Sequence, residues 1–325
     1  MNIYFTIITL IGCTIFCILL SNIVRPLLEK YLMREPINRD SHIIPTPRGG
    51  GIIFVLIVFI FSLITYSQTF STRSLIILIS TPIAFVGLID DFINLNISMR
   101  FLSQGLTGLA LIIASPLYSN YLVENYQPTY LFFSYLVFLV LSVIAIINFV
   151  NFMDGIDGLV TGVMIVIFFT MASQGYYELF PLVGSLMGFL FLNWSPAKVF
   201  MGDTGSTFLG ALFFGSVLQF EDWRISLEFI IIATPLFADA AICVLRRFVN
   251  GQLIFSPHKL HLYQRLNSAG WSHSKISVLY ILASLLLVIG SIFGNIIILI
   301  LIAFTELALG YYLDQHVAVR FLNKE

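Results

Sequence analysis

Charge is scarce in this chain. Asp, Glu, Lys and Arg make up only 10% of its 325 residues, whereas 58% are hydrophobic and the mean hydropathy is +0.97. In soluble domains roughly a quarter of all residues are charged. A water-facing surface of ordinary composition is therefore excluded. The sequence therefore indicates an integral membrane protein, whose solvent is the lipid bilayer.

Cysteine is rarer still. The three cysteines are Cys13, Cys17 and Cys243, and each lies in an apolar run. A thiol in such a run is most often a small packing residue. Neither a disulfide framework nor a thiolate metal site is indicated.

Long polar stretches are also missing, which leaves no room for a soluble domain and predicts one integral membrane domain over residues 1–325. The apolar runs are continuous rather than alternating, so helices and not barrel strands satisfy the backbone in lipid. The first run lacks the basic segment and cleavage site of a signal peptide and is predicted to remain. A bilayer core of about 30 Å needs about 20 helical residues per crossing. We predict an all-α polytopic protein with about 11 transmembrane helices, near residues 3–24, 50–66, 74–89, 101–118, 130–147, 159–173, 180–193, 207–219, 227–245, 276–293 and 295–313.

Basic residues are distributed unevenly around these helices. All but two of the 16 Lys and Arg fall on one side, the exceptions being Arg73 and Arg224. By the positive-inside rule that side is cytoplasmic, so we predict an external N-terminus and an internal C-terminus. Four polar runs then share the cytoplasmic face, at residues 89–92, 148–158, 200–206 and 256–261.

The first polar run contains two adjacent carboxylates, Asp90 and Asp91, directly after a predicted apolar helix. Such a pair resists desolvation unless a metal ion or basic side chains compensate it. The alternative is an aspartate pair that only ends a helix at water. By itself the pair is a weak indication of function.

The second run is more regular. Four oxygen-bearing side chains recur every three residues: Asn148, Asn151, Asp154 and Asp157. They share one face wherever the segment is helical, and oxygen ligands of this kind suit Mg²⁺. Gly155 lets the backbone approach a ligand closely. The alternative is a polar seam between packed helices.

In the third run, residues 202–206 are predicted to open the helix that starts near Thr207, with small residues and hydroxyls at its N-terminus. Free N–H groups at a helix N-terminus favour anions such as a diphosphate. Asp203 is placed to hold a cation that bridges the diphosphate. The alternative is an N-cap residue without a ligand.

The fourth run is basic, with His258 and His261 around Lys259 and with Arg246 and Arg247 upstream. Zinc binding by the two histidines is disfavoured, because the sequence shows no third ligand and no thiolate nearby. Contact with a phosphate is the favoured interpretation. A loop attracted to anionic lipid is the alternative.

Two acids lie inside predicted helices, Asp239 and Glu306. A charge at mid-membrane costs about 2.5–3.5 kcal/mol on insertion scales, so each is predicted to face the protein or to be protonated. Asp239 is nearer the cytoplasmic end and is placed to support the site.

Taken in this order and on this face, the four runs resemble the polyprenyl-phosphate N-acetylhexosamine-1-phosphate transferase family, and the likeness covers nearly the whole chain. Segments 45–51 and 100–104 resemble the O-antigen and enterobacterial-antigen branch more than the peptidoglycan branch. Peptidoglycan enzymes typically carry Lys where Asn94 stands here. They also have His-x-His-His where this chain has His-Lys-Leu-His at 258–261.

This resemblance implies transfer of an N-acetylated aminosugar-1-phosphate from a UDP-N-acetylhexosamine donor to undecaprenyl phosphate, with release of UMP. The reaction would start a lipid-linked cell-surface glycan at the cytoplasmic face of the bacterial plasma membrane. The implied cofactor is Mg²⁺, with Mn²⁺ as the alternative, and no nucleic-acid partner is implied. The oligomeric state stays open, with a homodimer as one option.

The resemblance also implies roles for individual residues. Asp90 would deprotonate or orient the lipid phosphate with Asp91 beside it, and Asp154 completes the catalytic set. Asn151 and Asp203 would hold the metal. The implied substrate-binding residues are Asn148, Gly155, Asp157, Phe200, Arg100, His258, His261 and Arg48.

Two other classes of protein compete with this interpretation. An intramembrane Mg²⁺-dependent prenyltransferase also uses Asp and Asn clusters, but with Asn/Asp-x-x-x-Asp spacing rather than adjacent aspartates and a Gly-Asp-Thr-Gly-Ser run. An ion-coupled transporter would place ionisable residues near mid-membrane, whereas most acids here lie at one surface. The transferase is therefore favoured.

Overall fold

A computed structural model describes residues 3–34, 45–116, 118, 130–254, 256, 258–293 and 296–321. Residues 35–44, which include Arg39 of the first basic loop, lie outside these ranges. Within them the chain forms thirteen α-helices and a two-stranded antiparallel ribbon, so the all-α prediction is confirmed apart from the ribbon. The elements are α1 (Ile3–Tyr31), β1 (Met33–Arg34), β2 (Thr46–Pro47), α2 (Gly51–Thr69), α3 (Thr72–Ile93), α4 (Ile97–Ile113), α5 (Tyr130–Met153), α6 (Leu159–Ser173), a 3₁₀ turn (Tyr177–Leu179), α7 (Phe180–Asn193), α8 (Gly202–Val217), α9 (Trp223–Ile232), α10 (Thr234–Val249), α11 (Leu262–Ser268), α12 (His273–Ile292) and α13 (Ile296–His316).

The described helices are those of a membrane protein. Six of them, α1, α2, α3, α5, α12 and α13, are long and apolar enough to cross a bilayer, and α4, α6 and α7 are shorter apolar helices. Large apolar side chains such as Ile8, Phe138 and Phe304 are exposed on the outer surfaces. Exposed apolar surface on this scale requires lipid rather than water around it.

The predicted single helix over 227–245 is wrong. The structure has two helices there, α9 and α10, which meet at Ala233 with a bend of 71°. Pro235 lies in the first turn of α10, and a proline there cannot donate a hydrogen bond back into the preceding helix. The chain therefore starts a new helix in a new direction.

Close packing between α1 and α7 depends on glycine. A Cβ at Gly184 would lie 2.6 Å from the carbonyl oxygen of Leu10, and one at Gly188 would lie 2.5 Å from that of Thr14. The hydroxyl of Thr14 donates to the carbonyl of Gly184 at 2.9 Å. Small residues four apart allow two membrane helices to approach this closely.

Helix α8 lies at the centre of the bundle. Every residue from Thr204 to Val217 is buried, so α8 faces protein on all sides and needs no long lipid-facing run. A Cβ at Gly87 of α3 would lie 2.5 Å from the carbonyl oxygen of Asp203. This contact presses the end of α3 against the start of α8 and brings two of the predicted polar runs together.

Candidate active site

Asp91 closes the N-terminus of α8 from the neighbouring helix α3. Its Oδ1 accepts the backbone N–H of Asp203 at 3.1 Å. Its Oδ2 accepts the N–H of Thr204 at 3.1 Å and the Thr204 hydroxyl at 2.7 Å. These N–H groups have no partner inside their own helix, and a carboxylate there also meets the positive end of the helix dipole. The buried Asp91 side chain thus fixes the position of Asp203.

Two expectations about these runs are wrong. The aspartate pair lies inside the last turn of α3, not after it, and α8 starts at Gly202 rather than near Thr207, so that residues 202–206 open the helix as its first turn. The N–H groups of Asp203 and Thr204 are used by Asp91. They are therefore not open to a diphosphate, because a buried carboxylate already satisfies them.

Asp90, Asp203 and Arg100 form the acidic centre of the site. The carboxyl groups of Asp90 and Asp203 both lie beside the guanidinium of Arg100. Arg100 lies between them, with Nε 3.2 Å from Asp90 Oδ2 and a terminal nitrogen 3.6 Å from Asp203 Oδ2. The backbone N–H of Leu95 donates to Asp90 Oδ1 at 2.6 Å. Two acids and one guanidinium therefore share a single small region.

Asn151 joins this centre from α5. Its side-chain nitrogen donates to Asp203 Oδ1 and to the Ser206 hydroxyl, both at 2.9 Å. An amide has one nitrogen and one oxygen, so the oxygen of Asn151 remains as its ligand atom. The structure thus brings Asp90, Asn151 and Asp203 together from three separate helices.

Asn148 takes a different part. Its side-chain nitrogen donates to Gln104 Oε1 at 2.7 Å, and the nitrogen of Gln104 lies 3.4 Å from Asn148 Oδ1. This reciprocal amide pair joins α4 to α5, as expected for a polar seam between membrane helices. The even spacing of the second run therefore does not produce one array of ligands.

The helical periodicity of that run also ends at Met153, so Asp157 points elsewhere. Asp157 is buried, accepts the N–H of Ala197 at 3.2 Å and lies 3.2 Å from Nδ1 of His273. These contacts tie the turn after α5 to the segment before α8 and to the start of α12. The substrate-binding role expected for Asp157 is not supported by this geometry, because its carboxylate contacts protein groups.

Asp154 lies in the turn that follows α5 and is partly exposed. Burial raises the pKa of Asp154 well above the usual carboxyl range, and the negative charges of Asp203, Asp91 and Asp157 raise it further. Its carboxyl group is therefore part of the same crowded acidic region.

Gly155 is required by packing against Tyr263 of α11. A Cβ at Gly155 would overlap the hydroxyl oxygen of Tyr263. That hydroxyl donates to the carbonyl of Phe152 at 2.9 Å. The short helix α11, which the sequence does not predict, thus closes over the turn that carries Asp154.

Asp239 orients this short helix. Its two carboxylate oxygens accept the N–H groups of Leu262 at 2.7 Å and Tyr263 at 3.1 Å, and the Tyr280 hydroxyl donates to it at 2.7 Å. The prediction that Asp239 faces the protein is confirmed. His261 is buried nearby, with Nδ1 3.8 Å from Asp239 Oδ1.

The basic cluster around the histidine loop does not present all its charges to a ligand. The buried guanidinium of Arg247 donates to Leu253 O, Ile254 O at 2.9 Å and the Ser256 hydroxyl at 2.7 Å. Arg246 lies 2.8 Å from the carboxylate of Asp314. The expected phosphate contact is therefore wrong for Arg247, because it holds the loop carbonyls instead.

His258 is a neutral ring in this environment. Burial lowers the pKa of His258 to about 3, and the nearby positive charge of Arg247 lowers it further. A phosphate would meet this ring through a hydrogen bond and not through an ion pair. The ring centroids of His258 and His261 are 4.9 Å apart, so the two rings are in contact.

The backbone of Phe200 ties residues 47–50, in the loop between α1 and α2, to the site. Its N–H donates to Pro47 O at 2.8 Å, and its carbonyl accepts the N–H of Gly50 at 2.9 Å. These bonds carry Arg48, whose Nε lies 3.6 Å from Asp91 Oδ1. Arg48 is therefore placed beside the acidic region by the loop and not by a helix.

The residues that sequence reasoning missed share one property, which is that they act through partners distant in the chain. A signal exists for Gln104, which follows Arg100 by four residues and so lies on the same helix face. Tyr263 and His273 give no such signal. The missed side chains that contact the site residues are Gln104, Thr204, Ser206, Tyr263 and His273.

Comparisons with known proteins identify the family. The model of Glycosyl transferase family 4 matches residues 73–221, a segment that contains Asp90, Asn151 and Asp203. A probable undecaprenyl-phosphate N-acetylglucosaminyl 1-phosphate transferase of Bacillus subtilis strain 168 is 30% identical over 283 residues, covering 80% of this chain and 77% of that protein. A phospho-N-acetylmuramoyl-pentapeptide-transferase of Fervidobacterium nodosum is 28% identical over 264 residues, with coverages of 77% and 83%. A decaprenyl-phosphate N-acetylglucosaminephosphotransferase of Mycobacterium leprae is 28% identical over 286 residues, with coverages of 75% and 72%.

Proposed function

Since the chain belongs to the polyprenyl-phosphate N-acetylhexosamine-1-phosphate transferase family, we propose that it transfers an N-acetylated aminosugar-1-phosphate from a UDP-sugar to undecaprenyl phosphate. An oxygen of the lipid phosphate attacks the sugar-linked phosphorus, the bond from that phosphorus to UMP breaks, and UMP leaves. The single observation that carries this proposal is the group formed by Asp90, Asn151, Asp203 and Arg100 at the start of α8.

The residues present fit a hard divalent cation. The carboxyl groups of Asp90 and Asp203 lie 3.2 Å and 3.6 Å from nitrogens of Arg100, and the negative charges of Asp203 and Asp91 help to raise the pKa of Asp154. With the amide oxygen of Asn151 these groups offer the all-oxygen donor set that Mg²⁺ prefers, and Mn²⁺ accepts similar ligands. When bound, the cation would neutralise charge on the donor diphosphate and on departing UMP.

Each protein group then has a definite task in the transfer. Asp203 is fixed by Asp91 and would hold the metal with Asn151. Asp90 accepts a proton from the lipid phosphate or orients it, and Arg100 and Arg48 offset the negative charge. Phosphoryl transfer depends chiefly on positioning and charge neutralisation, which these groups would supply. His258 and His261 border the same region and are proposed to contact substrate phosphates.

We further propose that the site faces the cytoplasm. The ends of α3 and α5 and the start of α8 meet there. If each helix from α1 to α8 crosses the membrane once, α3 and α5 run in one direction and α8 in the opposite direction, so these three ends lie on one side. With the six long helices, the bent α9–α10 pair and the shorter helices α4, α6, α7 and α8 counted as crossings, the topology has eleven spans. The concentration of Lys and Arg on the side of the site supports an external N-terminus and an internal C-terminus.

For the donor, UDP-N-acetylglucosamine and related UDP-N-acetylhexosamines are the first choice. Two of the relatives named above are N-acetylglucosamine-1-phosphate transferases. Asn94 also replaces the Lys typical of peptidoglycan enzymes, and here it ends α3 with a φ of 50°, a left-handed conformation that Asn tolerates well. The product would begin an O-antigen type of lipid-linked glycan.

The test is a release assay in membranes that contain the protein. Undecaprenyl phosphate, Mg²⁺ and a panel of UDP-N-acetylated sugars are supplied, and UMP and lipid-linked sugar are measured. We expect one donor of the panel to yield both products in equal amounts. If folded protein releases no UMP with any donor, the assignment is refuted.

Asp203→Asn tests the proposed metal role within the same assay. It should abolish turnover, because it removes the charge that the cation requires at the centre of the site. Asp222→Asn is the matched control, since Asp222 caps α9 through an oxygen that Asn retains. Turnover of Asp203→Asn near the wild-type rate would exclude Asp203 from the metal site.

A further inference from the structure

The sequence gives two reasons against a transition-metal site at the histidine loop, namely the lack of a third ligand and of a thiolate. The fold supplies both. One ligand atom from each of Cys243, His258 and His261 lies within 4.8 Å of the others. Cys243 belongs to α10, and the loop after that helix folds back so that both histidines reach it.

This cluster is enclosed by protein. Cys243 is 3% exposed and His261 is 2% exposed. The Nδ1 atom of His261 is buried and has no hydrogen-bond partner, a condition that calls for a physical reason because buried polar atoms are nearly always paired. Asp239 Oδ1 lies 3.8 Å from this nitrogen, which is beyond hydrogen-bond distance.

Asp239 stands where metal sites usually have a supporting carboxylate. A histidine that binds a metal through one ring nitrogen donates its other N–H to a carboxylate in most such sites. Asp239 precedes Cys243 by four residues, so the two side chains share one face of α10. With a cation on Nε2 of His261, a small tilt of the ring brings Nδ1–H within reach of Asp239.

We propose that Cys243, His258 and His261 bind a divalent cation that prefers sulfur and nitrogen ligands, of which zinc is the representative ion. One thiolate and two imidazoles suit Zn²⁺, whereas the all-oxygen group at Asp203 suits Mg²⁺. The two sites share no residue. Three protein ligands leave a fourth tetrahedral position for water or a phosphate oxygen.

Binding has two consequences for the structure. His258 Nδ1 accepts the N–H of Leu260 at 3.2 Å, and this bond is given up when Nε2 takes the metal and the proton moves to Nδ1. In exchange, the metal ties the loop before α11 to α10. The site goes beyond the proposed transferase activity, although it uses the two histidines that are proposed to contact substrate phosphates.

The experiment uses the full-length protein, purified in detergent and treated with a chelator. Co²⁺ is added first, because a thiolate–cobalt bond gives a charge-transfer absorption band in the near ultraviolet. We expect about one equivalent of Co²⁺ to produce that band and Zn²⁺ to displace it. Cys243→Ser should remove the band and weaken Zn²⁺ binding at least tenfold, a factor typical even of lost supporting contacts.

Two further variants make the result decisive. Cys13→Ser alters another buried cysteine, in α1, and should leave the band and the affinity unchanged. His258→Gln alters the least buried of the three ligands, should weaken binding by a similar factor, and decides the matter if Cys243→Ser does not fold. Absence of Co²⁺ binding by the wild type, or an unchanged band in folded Cys243→Ser or His258→Gln, overturns the proposal.

Discussion

Asp91→Asn tests whether this side chain is mainly a cap for α8. In the wild type its two oxygens accept three hydrogen bonds from Asp203 and Thr204. Asn has the same shape but only one oxygen. If that oxygen stays with Thr204, the new NH₂ group faces the N–H of Asp203, and two donors oppose each other.

The expected cost follows from these contacts. A buried N–H without a partner costs about 1–3 kcal/mol. Loss of a negative charge at a helix N-terminus adds about 0.3–1 kcal/mol. The ion pair with Arg48, at 3.6 Å and with the Arg48 side chain 22% exposed, contributes about 0.2–1 kcal/mol. A total of about 1.5–5 kcal/mol does not exceed the lower end of the usual range of protein stability, about 5–15 kcal/mol, so the variant should fold with a loosened start of α8.

Two measurements check this reasoning. Heating in detergent followed by size-exclusion chromatography should show a lower unfolding midpoint for Asp91→Asn, and UMP release should fall at least tenfold because Asp203 is no longer held. Asp203→Asn is the comparison, and it should lose activity with a smaller fall in the midpoint, since Asn keeps an oxygen that can accept from Asn151 and the change removes one of several neighbouring acids. A wild-type midpoint for Asp91→Asn would refute the capping role.

Thr204→Val extends the test from the other partner. It removes only the hydroxyl that donates to Asp91 at 2.7 Å, at a cost of about 1 kcal/mol. The double variant with Asp91→Asn should lose less stability than the sum of the two single variants, because both act on one hydrogen bond. Strict additivity would show that the two side chains do not interact.

Three other predictions concern packing and topology. Gly155→Ala should destabilise the protein and lower activity, because its Cβ overlaps the Tyr263 hydroxyl, and adding Tyr263→Phe should restore part of both in the same assays. Gln104→Leu should lower the unfolding midpoint by leaving its amide partner in α5 unpaired, with a smaller effect on turnover than Asp203→Asn; an unchanged midpoint would contradict the polar seam. Single cysteines placed in residues 194–200 and 218–222 should react with an impermeant reagent from opposite sides of the membrane, and labelling from one side alone would disprove the topology.

Sequence reasoning was reliable where the physical cause is local. Apolar runs must form helices in lipid because their backbone groups have no other partner, and the observed helices lie close to the predicted ones. It failed at Ala233, where one predicted helix is two helices with a bend of 71° between them. It also failed at α11, a short helix whose first N–H groups are held by the distant carboxylate of Asp239.

The residue types at the site were equally readable, because acids and amides in an apolar chain are costly and therefore conspicuous. Their partners were not. Asn148 and Asn151 have the same chemistry and lie one turn apart, yet Asn148 pairs with Gln104 while Asn151 contacts Asp203. Which of them meets the acidic centre depends on which helix packs against each side of α5.

The sequence by itself determined that this protein is a helical membrane protein with four polar runs suited to phosphates and a cation. Composition and the pattern of hydropathy can be read from the residues and their order alone. The tertiary structure alone decided that Asp91 caps α8 and that Cys243 lies beside two histidines. The physical reason is that hydrogen bonds and metal ligands require contact within a few ångströms. Such contact between residues far apart in the chain is set by helix packing.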